Sequence, residues 1–182
     1  MTATVDGGSG ESRPHSVLSG SCGGPAIAHV GIGANLGNAG SAIDGAMRSL
    51  AGLDSTRLVR RSSVYRSAPV DAEGPDYLNA VAELETSLAP EALLAALLRI
   101  EAAHGRERSV RNAPRTLDLD LLIYADLQVS TPRLTVPHPR LQERAFVLVP
   151  LAEIAPGLHV PGLGRVTDLL RSVGEQRIDR LS

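Results

Sequence analysis

Arg115-Thr116-Leu117-Asp118-Leu119-Asp120-Leu121-Leu122-Ile123-Tyr124 alternates carboxylate and leucine at its centre and then runs on apolar. Alternation of this length is the pattern of a half-buried strand. Side chains two apart on a strand share a face, about 6.5–7 Å from each other. Asp118 and Asp120 are therefore expected side by side, with Leu117, Leu119 and Leu121 turned to the opposite layer. Two carboxylates held on one face repel each other unless a cation joins them. For a site made only of oxygens the usual cation is Mg²⁺, often together with nucleotide phosphates. A solvated strand face, or pairing with surface arginines, is the alternative that the doublet alone leaves open.

Upstream of this strand, Pro90 opens a helical run (PEALLAALLRIEAAH) that Gly105 is placed to stop. Tyr77 to Leu84 alternates again, as does Leu58 to Arg66, and the Pro, Gly and Asp content of 67–75 marks a loop between them. Residues 41–53 carry Ile43, Met47 and Leu50 at helical spacing, and Ala26 to Gly33 reads as the first strand. The order from 26 to 124 is β-α-β-β-α-β. This predicts an α+β fold with a ferredoxin-like core, its antiparallel sheet carrying helices on one face and leaving the other free for a site. Beyond 124 a loop-rich C-terminal extension is expected, with a helix or irregular segment at 144–154 and a short helix near 167–173.

Bulk composition narrows the function classes. The 182 residues fit one domain over 26–182, behind a Gly- and Ser-rich tail at 1–25 that reads as disordered. That tail lacks the basic start and apolar middle of a secretory signal, so a cytoplasmic protein is expected. A single cysteine, Cys22, rules out a disulfide framework or a thiolate metal site. With a net charge of −2 and four aromatic residues, nucleic acid and membrane surfaces are poor partners. A monomer is the default expectation, which no feature of the sequence decides. All 18 basic residues are arginine. The absence of lysine excludes a Walker-type phosphate loop and Schiff-base chemistry. Any phosphate must be handled by arginine.

Five arginines, Arg99, Arg106, Arg108, Arg111 and Arg115, fall within seventeen residues just ahead of the aspartates. Guanidinium groups grip phosphate oxygens bidentately and stay charged. An arginine loop feeding a carboxylate pair suits a metal–polyphosphate site, although the same arginines could pair with Glu101, Glu107 and the aspartates. Glu101 shares the helix face of Leu94 and Leu97, so it needs a polar partner there. Gly31-Ile32-Gly33-Ala34-Asn35-Leu36-Gly37 is one residue too long for a dinucleotide fingerprint. His138, between Pro137 and Pro139, sits on a rigid turn and taken alone reads as structural.

Several motifs together resemble one family, the 6-hydroxymethyl-7,8-dihydropterin pyrophosphokinases of folate biosynthesis. They are Gly31 to Gly37, Val64-Tyr65-Arg66-Ser67-Ala68-Pro69, Pro75-Asp76-Tyr77-Leu78-Asn79-Ala80, Arg99-Ile100-Glu101, Gly105-Arg106, Pro114 to Asp120, Leu134 to His138 and Arg144-Ala145-Phe146. The resemblance runs in order over about residues 27–160. It implies a reaction in which ATP gives its terminal diphosphate to the pterin hydroxymethyl oxygen and releases AMP, with two Mg²⁺ ions on the phosphates. By similarity Asp118 and Asp120 are the metal ligands, Asp120 is also a proton acceptor, and Arg106 and Arg115 stabilise the transferring charge. The pterin would be held by Ser67, Ala68, Pro69, Val70, Tyr77, Asn79 and Phe146. ATP would be held by Glu101, Arg108, Arg111, Leu121, Arg133, Thr135, His138 and Arg144.

The chain departs from the family pattern in two places. Asn112-Ala113 stands where Trp-Gly is common, in the loop that closes over bound substrates, and Ala34-Asn35 replaces Ser-Asn. These departures keep open a catalytically impaired pterin- and ATP-binding homologue. Two-metal nucleotidyltransferases also place aspartates two apart. They need a Gly-Ser helix turn upstream, where this chain has arginine.

Overall fold

The computed structural model describes residues 24–69, 74–104 and 117–181. The expected N-terminal tail lies outside them except for its last two residues, Gly24 and Pro25. In chain order the elements are β1 (Ala26–Ala34), α1 (Ala39–Ala51), β2 (Thr56–Arg61), β3 (Tyr65–Ser67), β4 (Tyr77–Thr86), α2 (Pro90–Ala103) and β5 (Asp118–Tyr124). There follow β6 (Val129–Ser130), β7 (Thr135–Val136), α3 (Ala145–Ile154), β8 (His159–Val160), β9 (Gly164–Arg165), α4 (Val166–Leu169) and β10 (Ile178–Arg180). The main sheet runs β10-β3-β4-β1-β5, with β2 also paired to β4, and every pairing is antiparallel.

Period-two burial on β1 sorts the sheet into two faces. Ala28, Val30, Ile32 and Ala34 are buried against α1 and α2. Helix α1 meets them with Ile43, Ala46, Met47 and Leu50, the i, i+3, i+4, i+7 stripe of an amphipathic helix. Asn38 caps it by accepting from the Ser41 amide at 3.0 Å. Helix α2 begins at Pro90, whose missing N–H is no loss in the first turn, and adds Leu93, Leu97 and Ile100 to the same core.

The opposite face is covered in part, contrary to the expectation of a free face. Helix α3 is apolar nearly all round and packs Leu148 and Leu151 into a second core with Val81 of β4 and Leu122 of β5. What remains open is the stretch of this face beside the start of α3, and the cavity described below lies there.

The expected single strand over 58–66 is two strands, because Ser62 interrupts the ladder. Its backbone N–H donates to the Val81 carbonyl at 2.9 Å, while its hydroxyl accepts from the Val81 N–H, also at 2.9 Å. A side chain thus takes the place of a backbone partner. Strand β10 and the small pairs β6–β7 and β8–β9 were not anticipated from sequence, since two- and three-residue strands are too short to carry a period.

The face shared with α3 also holds a buried histidine–carboxylate hydrogen-bonded pair. His29 and Glu83 are cross-strand partners, with Nε2 and Oε2 3.3 Å apart. Arg60 lies 3.8 Å from the other Glu83 oxygen and donates to the Ile154 carbonyl at the end of α3 at 2.7 Å. Burial pushes the His29 pKa below its ordinary 6.5, against the pull of Glu83. Unfolding restores the ordinary value, so as pH falls the unfolded chain takes up this proton first. Stability from this group is therefore complete above pH 6.5 and declines as pH falls below it. Urea midpoints measured at about pH 7.5 and about pH 5.5 should drop at the lower pH, and His29→Phe should show the smaller drop.

Candidate functional site

The aspartates stand where β5 is forced to bulge. Val30 pairs with Leu121 and His29 with Ile123, so Leu122 is an extra residue without a partner on β1. A bulge re-aims the side chains on either side of it. Before it, Leu119 and Leu121 point to the helix-side core and Asp118 and Asp120 point away. After it, Leu122 and Ile123 both join the second core, and Tyr124 turns back toward α2, its hydroxyl donating to the Leu88 carbonyl at 2.6 Å. The released Leu122 carbonyl accepts the His138 N–H at 2.8 Å. The bulge thereby docks the turn carrying His138 against Asp120, whose Oδ2 is 3.9 Å from the His138 Nε2.

Glu101 fixes the strand between the two aspartates. It is 1 % exposed, and its Oε1 accepts the Leu119 N–H at 2.8 Å. Among the described residues β5 is the last strand of the sheet, so amides on its outer edge have no described strand beside them. The expected polar partner of Glu101 is thus in part the strand that bears the doublet.

Two cavities meet at that doublet. The first encloses about 250 Å³, with Gly31 and Gly33 in its floor and Ser67, Ala68, Tyr77, Asn79, Arg144 and Phe146 in its walls. The second, of about 310 Å³, is bounded by Leu94, Leu98, Glu101, Leu121, Arg133, Thr135 and Pro139. Asp118, Asp120 and His138 line both.

In the first cavity, Asn79 is buried and its amide nitrogen donates to the Ser67 hydroxyl at 3.0 Å and to the Tyr77 carbonyl at 3.4 Å. That fixes the orientation of its carboxamide. Phe146 lines the same cavity, with the Arg144 guanidinium 5.5 Å from its ring centroid and 3.6 Å from Asp120 Oδ2. One cavity thus brings together an aromatic ring, an oriented amide, two carboxylates and a guanidinium. Burial lowers the His138 pKa, with Asp120 pulling it up and Arg144 pushing it down, so the ring is neutral near pH 7.

Most of the residues singled out from sequence come together here. Ser67, Ala68, Tyr77, Asn79 and Phe146 line the first cavity, and Glu101, Leu121, Arg133, Thr135 and His138 line the second. Arg144, expected on the nucleotide side, lines the first. Pro69 lines neither cavity. Val70, Arg106, Arg108, Arg111 and Arg115 lie outside the described residues. Among the described residues no cluster of three His, Cys, Asp or Glu side chains is grouped as a metal cage. Sequence reasoning missed Leu94, Leu98, Arg140, Glu143 and Gln176. The two leucines could have been found from the face they share with Glu101, whereas Gln176 carries no local signal.

Comparison with known proteins accords with this geometry. The model of the family 7,8-dihydro-6-hydroxymethylpterin-pyrophosphokinase (HPPK) matches residues 29–156. The chain is 44% identical over 154 residues to a 2-amino-4-hydroxy-6-hydroxymethyldihydropteridine pyrophosphokinase of Pseudomonas aeruginosa, covering 84% of this chain and 95% of that protein. It is 40% identical to the Haemophilus influenzae protein of the same name, covering 85% of this chain and 98% of that one. Among solved structures it resembles the Plasmodium falciparum HPPK-DHPS wild type with pteroate, at a TM-score of 0.67 and 13% identity over 81% of this chain. That likeness speaks for the fold, and the chain spans 44% of the length of that one. The motifs around Asp118 and Asp120, the sequence relatives and the fold agree: the chain belongs to the 7,8-dihydro-6-hydroxymethylpterin-pyrophosphokinase family.

Proposed function

We propose that this chain transfers the terminal diphosphate of ATP to the hydroxymethyl oxygen of 6-hydroxymethyl-7,8-dihydropterin and releases AMP, a step of folate biosynthesis. The observation that carries this reading is that Asp118 and Asp120 line both cavities, so two substrates bound side by side would meet at the carboxylates. The first cavity suits a flat heteroaromatic with a hydrogen-bonding edge, stacked on Phe146 and read by the Asn79 amide. The second, with apolar walls, Arg133 and Thr135, suits a nucleotide. The relatives are named as pyrophosphokinases, which agrees with this pairing.

Asp118 and Asp120 offer hard oxygen donors without thiolate, a set that suits Mg²⁺ completed by phosphate oxygens and water. When bound, two such ions would neutralise the phosphates and steady the attacking and leaving oxygens. The side chains do the rest. Phe146 and Asn79 orient the pterin so that its hydroxymethyl group points toward the doublet. Asp120, within reach of both cavities, accepts the hydroxyl proton as the new O–P bond forms at the β-phosphorus. The bond from that phosphorus to the α-phosphate oxygen breaks, and AMP leaves with the oxygen. Arg144 stabilises charge on the transferring group next to Asp120. Arg106 and Arg115, outside the described residues, are assigned by resemblance to the same task, and Arg108 and Arg111 to the nucleotide.

The order β5-β1-β4-β3, with α1 and α2 on one face, supports reading the core as ferredoxin-like with a C-terminal extension from β6 onward. We read residues 26–182 as one domain acting as a cytoplasmic monomer. No helix among the described residues is long and apolar enough to cross a membrane. The test is to incubate the protein with ATP, Mg²⁺ and the pterin and to identify the nucleotide product. AMP formed only with pterin present supports the proposal, whereas free diphosphate would point to nucleotidyl transfer.

A further inference from the structure

We infer that Gln176, between α4 and β10, is a positioning residue for the pterin-side cavity, stapling the backbone on both sides of Arg144 and so holding Arg144 and Phe146 in place. The inference rests on the pyrophosphokinase reading. Gln176 lies beyond residues 29–156, which the family model matches.

Helix α3 begins at Ala145, with Arg144 in the N-cap position, and the Arg144 side chain makes no capping bond. An N-cap is ordinarily Ser, Thr, Asp or Asn, whose oxygen serves the first free amides of the helix. Here that position is given to a guanidinium that reaches Asp120, and the capping is done from elsewhere. Gln176 Oε1 accepts the Ala145 N–H at 3.0 Å, and Gln176 Nε2 donates to the Glu143 carbonyl at 2.8 Å. Both peptide units that flank Arg144 are thereby held.

The main chain around Gln176 is anchored as well. Its own N–H donates to the Val173 carbonyl at 3.0 Å. Two residues on, Ile178 of β10 pairs with Ser67 of β3, the residue whose hydroxyl accepts the Asn79 amide. The stretch 176–178 is therefore bonded to the wall bearing Phe146 and to the wall bearing Asn79. It sets the spacing between them. An exposed glutamine that commits both amide atoms to backbone gives up rotamer freedom, which fits a residue held for geometry.

The test compares the parent with Gln176→Ala, Gln176→Glu and Glu175→Ala. Affinity for 6-hydroxymethyl-7,8-dihydropterin is read by calorimetry with Mg²⁺ and a non-hydrolysable ATP analogue, beside KM, kcat and melting temperature. Gln176→Ala is expected to weaken pterin affinity and raise its KM about tenfold, the size of one net hydrogen bond, with kcat within about threefold of the parent. Gln176→Glu keeps the acceptor for Ala145 but sets a carboxylate against the Glu143 carbonyl. Through the retained Ala145 bond it should recover part of the melting temperature and none of the affinity. Glu175→Ala should match the parent. Parental affinity in Gln176→Ala overturns the inference. So does affinity that recovers together with melting temperature in Gln176→Glu, because a helix cap alone would behave that way. A parent that binds the pterin but forms no AMP overturns the reaction reading and leaves the affinity comparison standing, whereas one that binds no pterin overturns both.

Discussion

Asp118→Asn and Asp120→Asn should each lower kcat/KM about a thousandfold or more while the protein stays folded. The two side chains leave β5 on the same face and stand at the boundary of both cavities. Neutralising either removes a charge-bearing ligand at the point where phosphate charge is rearranged, and asparagine keeps the shape. The Arg144 guanidinium lies 3.6 Å from Asp120 Oδ2, so Asp120→Asn should also lose some stability. Steady-state kinetics and urea titration on the same samples separate the two effects. A variant that loses activity only in proportion to unfolded protein would contradict a direct role.

Glu101→Ala should destabilise the fold by about 2–4 kcal/mol and also weaken nucleotide binding. Glu101 is 1 % exposed and accepts the Leu119 N–H, the amide midway between the two aspartates. Truncation leaves that edge amide without this acceptor and opens space beside Leu94 and Leu98 in the second cavity. The doublet then rests on a strand with a loosened edge. Glu101→Gln keeps an acceptor of nearly the same shape and should recover most of the stability. Urea midpoints of the two variants, with ATP affinity by calorimetry, test this. Equal midpoints for Glu101→Ala and parent would show that the Leu119 bond contributes nothing.

What the sequence made legible follows from where its pattern was strong. Alternation in 117–121 put Asp118 and Asp120 on one face and the leucines in the core, and the structure places them so. The apolar stripes of α1 and α2 were equally plain. Less was visible where one residue changes the geometry. The bulge at Leu122 turns Leu122 and Ile123 to the same side, which a run of three apolar residues conceals. Ser62 splits a strand by offering its hydroxyl to Val81. Helix α3, apolar but for Glu153, gives no period to say which sheet face it covers. Gln176 reaches residues about thirty positions earlier, and no local spacing records such a contact.

The central claim is that β- and γ-phosphates move together to the pterin hydroxyl at the Asp118–Asp120 junction. Parallel reactions with ATP labelled at the α- or the β-phosphorus, each with Mg²⁺ and 6-hydroxymethyl-7,8-dihydropterin, test it directly. The account predicts that all α-label is recovered in AMP and all β-label in the pterin product, and that in Asp118→Asn both labels stay in ATP over the same interval. Alpha-label on the pterin, or β-label released as free diphosphate, would contradict it.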